Sequence, residues 1–483
     1  MDDLKAGLDR PSRILANVPD GLQPAILARE VEARLKEAPD APVSLVYVAR
    51  DGRRLLRMAD ILEKMLPGHD VLVFPAWDCL PYDRVSPNAV TLASRMATLS
   101  RLVDPATKGA IVLTAVNAYV QRVVPRAVVS AMTFSARAGA MVDSDRLIAW
   151  ASDNGYLRVP TVREAGEYAV RGGLIDLYPA GRDAPLRFDF FGRQLETIRS
   201  FDPESQRTTG NVRQVTLVPM SEAVLTEDSI RRFRRNYTTM FGGNTADDPL
   251  YGAISAGQRF AGMEHWLPFF YEEMESLSDY TGGAPFIFDE QSGEALAERR
   301  TQIADYYDAR RQAREAGQGG AGAPYKPIPP DLLYHMDEPV YALVRGHEVS
   351  EITPFMPADT SLPVIDCGGR LAPNFAAERQ ASDTNVFEAV ISTIKTQARS
   401  GKKTLVTCWS EGTRDRMGQV LADHGLKAVK ALKAWNAIET LKVGQLGLVV
   451  LPLESGFVTD DLFVLSEQDI LGERIIRATR RKK

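Results

Sequence analysis

Three stretches of the sequence carry residue types that could handle phosphate. "SGKKT" (400–404) has adjacent lysines, "FIFDEQS" (286–292) has adjacent acids, and "RGG" (171–173) has paired glycines. A phosphate loop of the form G-x-x-x-x-G-K-[ST] needs glycines for its turn, a lysine for the phosphates and a hydroxyl for Mg²⁺. "SGKKT" lacks the upstream glycine and has lysine where the hydroxyl belongs, so it reads as a basic turn between a helix and a strand. "RGG" would need a helix after it; "LIDLYP" reads instead as a strand ended by Pro179. In a motor, Asp289 would hold Mg²⁺ and Glu290 would position the attacking water. Without a phosphate loop these two read as solvated acids at the end of a strand. No G-x-S-x-G elbow or H-E-x-x-H string occurs. His265, in "GMEHWLPFF", sits among aromatics and reads as a packed histidine rather than a base.

A different chemistry is written in "LRFDFFG" (186–192). Side chains alternate between the two faces of a strand. Leu186, Phe188 and Phe190 share one face, the natural core face. Arg187, Asp189 and Phe191 share the other, so a large aromatic stands among charges. Aromatic residues and arginine dominate binding hot spots. Two readings stand for Phe191: it is an interface residue, or a second layer or neighbouring domain covers it. Arg171 opens the facing strand of a hairpin, close enough to reach Arg187 and Phe191 across the sheet. Gly172 and Gly173 leave room for another backbone.

These residues need elements to hold them. "VSLVYVA" (43–49), "DVLVF" (70–74) and "AIVLTAV" (110–116) read as buried strands, with helices predicted over 53–66 and 90–102 between them. Alternating strands and helices imply a parallel sheet with right-handed crossovers. After a helix near 144–154 the pattern changes to four short strands, "LIDLYP", "LRFDFF", "LETIRSF" and "VRQVTLVP", separated by turns. Residues 219–345 are mixed, with helices over "DSIRRFRRNYTTMF" and 293–315, a strand at "PFIFDE" and a Gly/Pro-rich connection at 317–330. Helix and strand then alternate again: helices over 385–399 and 412–423, strands at 403–409 and 447–453. The terminal "RIIRATRRKK" has six basic residues in ten and reads as a solvated tail.

Composition bounds the function classes. The chain has 483 residues, 45% hydrophobic and 25% charged, with a formal net charge of -5. Those fractions are ordinary for a globular protein. The negative balance argues against nucleic-acid binding through bulk charge. The cysteines, Cys79, Cys367 and Cys408, are far apart and have no clustered histidines, which argues against a disulfide framework or a zinc site and fits a reducing cytosol. The start lacks the pattern of a signal peptide, and no apolar run nears the ~18 residues of a membrane span. The expected location is cytoplasmic, with no membrane partner.

Longer strings resemble a known family. "FPAWDCLPYDRVSPNAVTLASRMATLSRL" (74–102), "REAGEYAVRGGLIDLYPAG" (163–181), "RFDFFGRQLETIRSFDPESQRT" (187–208), "AGMEHWLPFF" (261–270) and "LGER" (471–474) resemble the N-terminal region of the bacterial transcription-repair coupling factors, in the same order. The resemblance implies a multidomain α/β fold. A degenerate, helicase-like parallel domain similar to the repair helicase UvrB would be formed by 1–131 and 219–345. A small α+β domain with an antiparallel sheet, 132–218, would be inserted in it. A separate small α/β domain, 355–475, and a basic tail, 476–483, would follow.

The resemblance also implies a partner. The family's small domain binds UvrA, the damage-recognition ATPase of nucleotide excision repair. The family residues implicated in that contact, two arginines and a phenylalanine, fall on Arg171, Arg187 and Phe191. UvrB's phosphate loop would correspond to "NVPDGLQPA" (17–25), with Gln23 and Pro24 in place of the lysine and hydroxyl. The expectation is a non-catalytic adaptor with no cofactor of its own. The family's ATP and Mg²⁺ belong to a motor, and its contacts with RNA polymerase and DNA to domains, beyond Lys483, so the chain is expected to be a fragment or a short form. The alternatives are an ATP-dependent helicase or translocase, and a DNA-binding repair protein related to UvrB.

Overall fold

The structure, a computed structural model, describes residues 10–316, 325–358, 361–381 and 385–472. The basic tail at 476–483 and part of the Gly/Pro-rich connection lie outside the described residues.

Strands Val43–Ala49 and Ala110–Ala115 are buried along their whole length. Such uninterrupted apolar strands belong at the centre of a parallel sheet covered on both faces. They sit in a seven-stranded, all-parallel sheet with the order Val364–Asp366, Arg13–Ala16, Val349–Ile352, Phe286–Phe288, Val43–Ala49, Ala110–Ala115, Val71–Phe74. Helix Gly52–Met65 starts where the Asp51 carboxylate accepts the amides of Arg53 and Arg54, and it buries Leu55, Met58, Ile61, Leu62 and Met65. That spacing is the apolar stripe of an amphipathic helix. The chain leaves this sheet after residue 115 and returns at Phe286–Phe288 and Val349–Ile352, which insert between Arg13–Ala16 and Val43–Ala49.

The excursion carries a second, six-stranded sheet in the order Thr208–Val212, Gln194–Phe201, Leu186–Phe191, Leu174–Leu177, Glu167–Arg171, Leu157–Arg158. It is antiparallel except at the Leu157–Arg158 edge. One face packs Leu177, Leu186, Phe188, Phe190 and Ile198 against Leu147 and Ala151 of helix Ser144–Asp153. The stretch "VRQVTLVP" serves two sheets, because Gln214–Leu217 leaves the six-stranded sheet and pairs with Phe134–Arg137. Helix Ala89–Val103 is tied to the end of this excursion by the fully buried Arg95–Glu222 ion pair.

A third sheet, of six strands, is parallel through Lys403–Cys408, Leu446–Val450, Leu462–Ser466 and Val429–Ala431, and antiparallel where Phe457–Val458 and the edge strand Arg370–Leu371 join it. Its apolar residues Leu405, Leu432, Val449, Leu453 and Phe457 share one core with Leu15, Leu22, Leu27 and Leu62 from the N-terminal region. The Gly21 loop lies directly on this sheet: a Cβ on Gly21 would meet Ser455 O at 2.0 Å. Arg57 pairs with Glu454 at 2.5 Å beside it.

Candidate protein-docking site

Two tight hairpins shape one end of the antiparallel sheet. Arg171 opposes Leu174 across Gly172–Gly173, and Phe191 opposes Gln194 across Gly192–Arg193. Gly172 and Gly192 hold φ of 60° and 61°, left-handed values that suit glycine. Gly173 answers a different need. Its carbonyl accepts the Phe190 amide at 2.8 Å, and a Cβ there would stand 2.6 Å from Phe190 O. The close backbone approach expected at the glycine pair is thus made by the chain's own strand.

Register then sets the charged face. Asp176, Arg187 and Arg199 form one row across the sheet, and Arg171, Leu174, Asp189 and Thr197 the next. Arg187 donates to both oxygens of Asp176, at 2.7 and 2.8 Å, and its guanidinium lies 4.7 Å from the ring centroid of buried Phe201. The hydrogen-bonded Asp176 carboxylate holds Arg187 above its ordinary pKa range. Arg199 pairs with Asp189 at 2.7 Å. Arg171 is exposed, and its Nη2 donates to Pro160 O at 2.6 Å and Thr161 Oγ1 at 2.9 Å. Phe191 ends the row of alternating residues 77% exposed.

The two readings of Phe191 separate here. A thin second layer of Val162, Ala169 and Phe201 does cover part of this face. It stops short of Phe191. Arg187 lies on the face expected from alternation, partly buried and paired with Asp176, a partner the sequence reading did not name. Its partner stands on the adjacent strand, in a register that one strand's alternation does not contain. Asp176 and Arg199 were missed for the same reason, and Asp189 was placed on the face without its partner. The signal that could have found Asp176 is the two-residue Gly-Gly hairpin followed by a short return to "LRFDFF". The site has no paired nucleophile and base; it presents an exposed ring beside oriented guanidinium groups, which suits recognition.

Residues 134–222 match the family model described as "UvrB interaction domain", and residues 397–470 match the one described as "MFD, D3 domain". The first match contains the whole sheet that carries Arg171, Arg187 and Phe191. The transcription-repair-coupling factor of Escherichia coli (strain K12) is 29% identical over 450 residues, 92% of this chain and 37% of that protein. That of Haemophilus influenzae is 28% identical over 447 residues, 91% of this chain and 37% of the relative. That of Myxococcus xanthus is 29% identical over 516 residues, 99% of this chain and 42% of the relative. The chain matches the N-terminal region of the transcription-repair-coupling factors. It spans well under half the length of these relatives.

The chain also contains the loop, residues 17–25, that resemblance sets against UvrB's phosphate loop. Arg54 lies across it. The Arg54 Nε is 2.6 Å from Asp289 Oδ2, and its Nη2 donates to Asp289 Oδ1 at 3.0 Å, to Asp20 Oδ1 at 3.0 Å and to Gln23 Oε1 at 3.2 Å. Asp289 is fully buried, a correction to its reading as a solvated acid. Burial pushes its carboxyl up, and the facing Arg54 opposes that shift. Glu290 is half-buried and pairs with Arg50 at 3.0 Å. The reason both acids were misread is distance in sequence: their cations are Arg50 and Arg54, just before and at the start of helix Gly52–Met65. The residues here do not fit a Mg²⁺-phosphate group, because a guanidinium already faces both oxygens of Asp289. His265 is packed as expected, 1% exposed, its ring stacked on Tyr82 and edge-on to Trp77. No helix among the described residues is long and apolar enough to cross a membrane.

Proposed function

We propose that this chain is a non-catalytic adaptor that recruits UvrA, docking it on the face carrying Phe191 and Arg171. The observation that carries the reading is Phe191, 77% exposed on a rigid hairpin within the stretch that matches the UvrB interaction domain. An aromatic ring held by a hairpin loses little freedom on binding, and an adjacent arginine can take a carboxylate bidentately. Arg187 would contribute as a fixed guanidinium, oriented by Asp176. In this reading residues 132–218 are the docking domain, inserted in a UvrB-like domain of 1–131 and 219–345, with 355–475 as a separate α/β domain. RNA polymerase and DNA would be engaged by parts of the full-length family beyond these residues. The non-catalytic part of the reading is supported by Arg54, which occupies the carboxylate that a motor would give to Mg²⁺.

Binding of purified UvrA to this chain tests the proposal. Phe191→Ala is expected to weaken capture about 30-fold or more, the effect of losing a hot spot, with no change in thermal stability. Arg171→Ala should weaken it as well. Arg187→Ala is expected to cost about 2 kcal/mol of stability too, since it strands the buried Asp176 carboxylate. Wild-type affinity in a folded Phe191→Ala variant would overturn the reading.

A further inference from the structure

The docking face does not end at Phe191. Residues 140–142 run antiparallel to the start of strand Gln194–Phe201: the Val142 amide donates to Arg193 O at 3.0 Å and the Leu195 amide to Ala140 O at 3.0 Å. This pattern sets Met141 opposite Gln194 as a non-hydrogen-bonded pair, the kind with the closest side chains. Gln194 in turn opposes Phe191. Directly opposed residues project from the same side of a sheet. Met141, Gln194 and Phe191 therefore form one row on one face, with its ends about 10 Å apart at two strand spacings.

Met141 is 73% exposed and Phe191 77%. A single exposed apolar side chain is ordinary; two on one row make a small apolar patch that a partner could bury together with the Phe191 contact. Methionine also adapts its shape to an irregular partner surface better than branched residues do.

The charges around the row point to the chemistry of that partner. Arg193 occupies the turn between Phe191 and Gln194. Arg137 and Arg213 line a groove that abuts the Met141 segment, where the Ala138 amide donates to Arg213 O at 2.9 Å and the Gly139 amide to Leu195 O at 2.7 Å. All three arginines are exposed, and among the described residues none of them has a carboxylate at ion-pair distance. Arg187 and Arg199, by contrast, are neutralised by Asp176 and Asp189. Two acids lie near the row. Asp143 caps helix Ser144–Asp153, accepting the amides of Asp145 and Arg146. Glu196 lies in the irregularity between Leu195 and Thr197.

We propose that Met141 is a second anchor of the docking face, and that with Arg137, Arg193 and Arg213 it receives a protein surface whose apolar socket is rimmed by carboxylates. This rests on the reading of Phe191 as a docking residue and gives the same partner a second point of contact. The apolar row supplies the desolvated centre, and the arginines supply the charged rim that steers an acidic surface toward it.

The test is the affinity of purified UvrA for Met141→Ala, Met141→Asp and Phe191→Ala, measured at two salt concentrations. Met141→Ala is expected to bind about tenfold more weakly, and Met141→Asp more weakly still, as a carboxylate set against carboxylates. Replacing Arg137, Arg193 and Arg213 together with serine should flatten the salt dependence while leaving the melting temperature unchanged. Wild-type affinity in Met141→Asp alongside lost binding in Phe191→Ala would overturn the second anchor and leave the Phe191 reading intact. Wild-type affinity in both would overturn the docking face itself.

Discussion

His265 shows how burial sets the chemistry of one residue. Enclosed by Tyr82 and Trp77, its ring is pushed down to about 4, chiefly because burial penalises the charged form. In the unfolded chain it would titrate near the ordinary value of 6.5. Between those two values the unfolded state binds a proton that the folded state does not. Stability from this residue is therefore intact above about 6.5 and is lost as the pH falls toward 4. His265→Phe keeps an aromatic ring in the same space and removes the titration. Its stability relative to wild type is expected to rise by ~3 kcal/mol on going from pH 7 to pH 4, read from urea unfolding at both pH values. At this scale the sequence was legible: an isolated histidine in "MEHWLPFF" belongs to a core, and it lies in one. Arg187 was legible in its direction and not in its partner.

At the scale of elements, helix Ala89–Val103 carries the clearest test. Leu92, Met96, Leu99 and Leu102 form its buried stripe, as their spacing predicts. Arg95 is buried with them. Its Nε and Nη2 donate to Glu222 at 2.9 Å each, Trp77 Nε1 donates to the same carboxylate at 2.7 Å, and the guanidinium lies 4.1 Å from the centroid of Phe74. Breaking such a pair leaves an uncompensated buried charge. Arg95→Ala is expected to destabilise the protein by about 3–5 kcal/mol, and replacing both partners with apolar residues of similar size should recover most of that. A double-mutant cycle by chemical denaturation checks both statements. Periodicity announced the helix but not the arginine's burial, because its carboxylate comes from the far end of the inserted sheet region. For the same reason "VRQVTLVP" looks like one strand although its halves pair with different sheets.

At the scale of the whole molecule, the N-terminal loop and the last α/β sheet behave as one body. Leu15, Leu22 and Leu62 share a core with Leu405, Leu453 and Phe457. Gly21 is the point of tightest approach, with Ser455 O only 2.0 Å from where a Cβ would be. The loop that resembles a degenerate phosphate loop is thus a seat for another part of the chain. Gly21→Val should force the two apart at a cost of about 2–4 kcal/mol, since the atoms a side chain would meet belong to the backbone of Ser455 and Gly456 and not to a flexible side-chain end. Calorimetry is expected to show a single melting transition for wild type and two, or one broadened toward lower temperature, for the variant. An unchanged transition would mean that the loop moves aside freely. Composition and periodicity reveal nothing of this docking; it depends on the packing of segments far apart in sequence, from 62 and below to 405 and above.

What the sequence determined alone is local. The period-two alternation of "LRFDFFG" placed Leu186, Phe188 and Phe190 on one face and Phe191 on the other, because adjacent side chains on a strand have no other choice; only the tertiary structure left that other face open at Phe191. The run of strands and helices determined a parallel sheet followed by an antiparallel region, because period and turn residues act over short windows; that the later strands return to the first sheet is set by tertiary structure. Tertiary structure decided what depends on register between distant segments. It paired Arg187 with Asp176, 11 positions earlier, and it buried Asp289 against Arg54, 235 positions away. It also brought Met141 into the same row as Phe191. A shift of one residue in the strand registers of Arg187 and Phe191 would turn each side chain to the opposite face, so neighbours across strands are set by turns and packing and not by the residue's own surroundings in the chain.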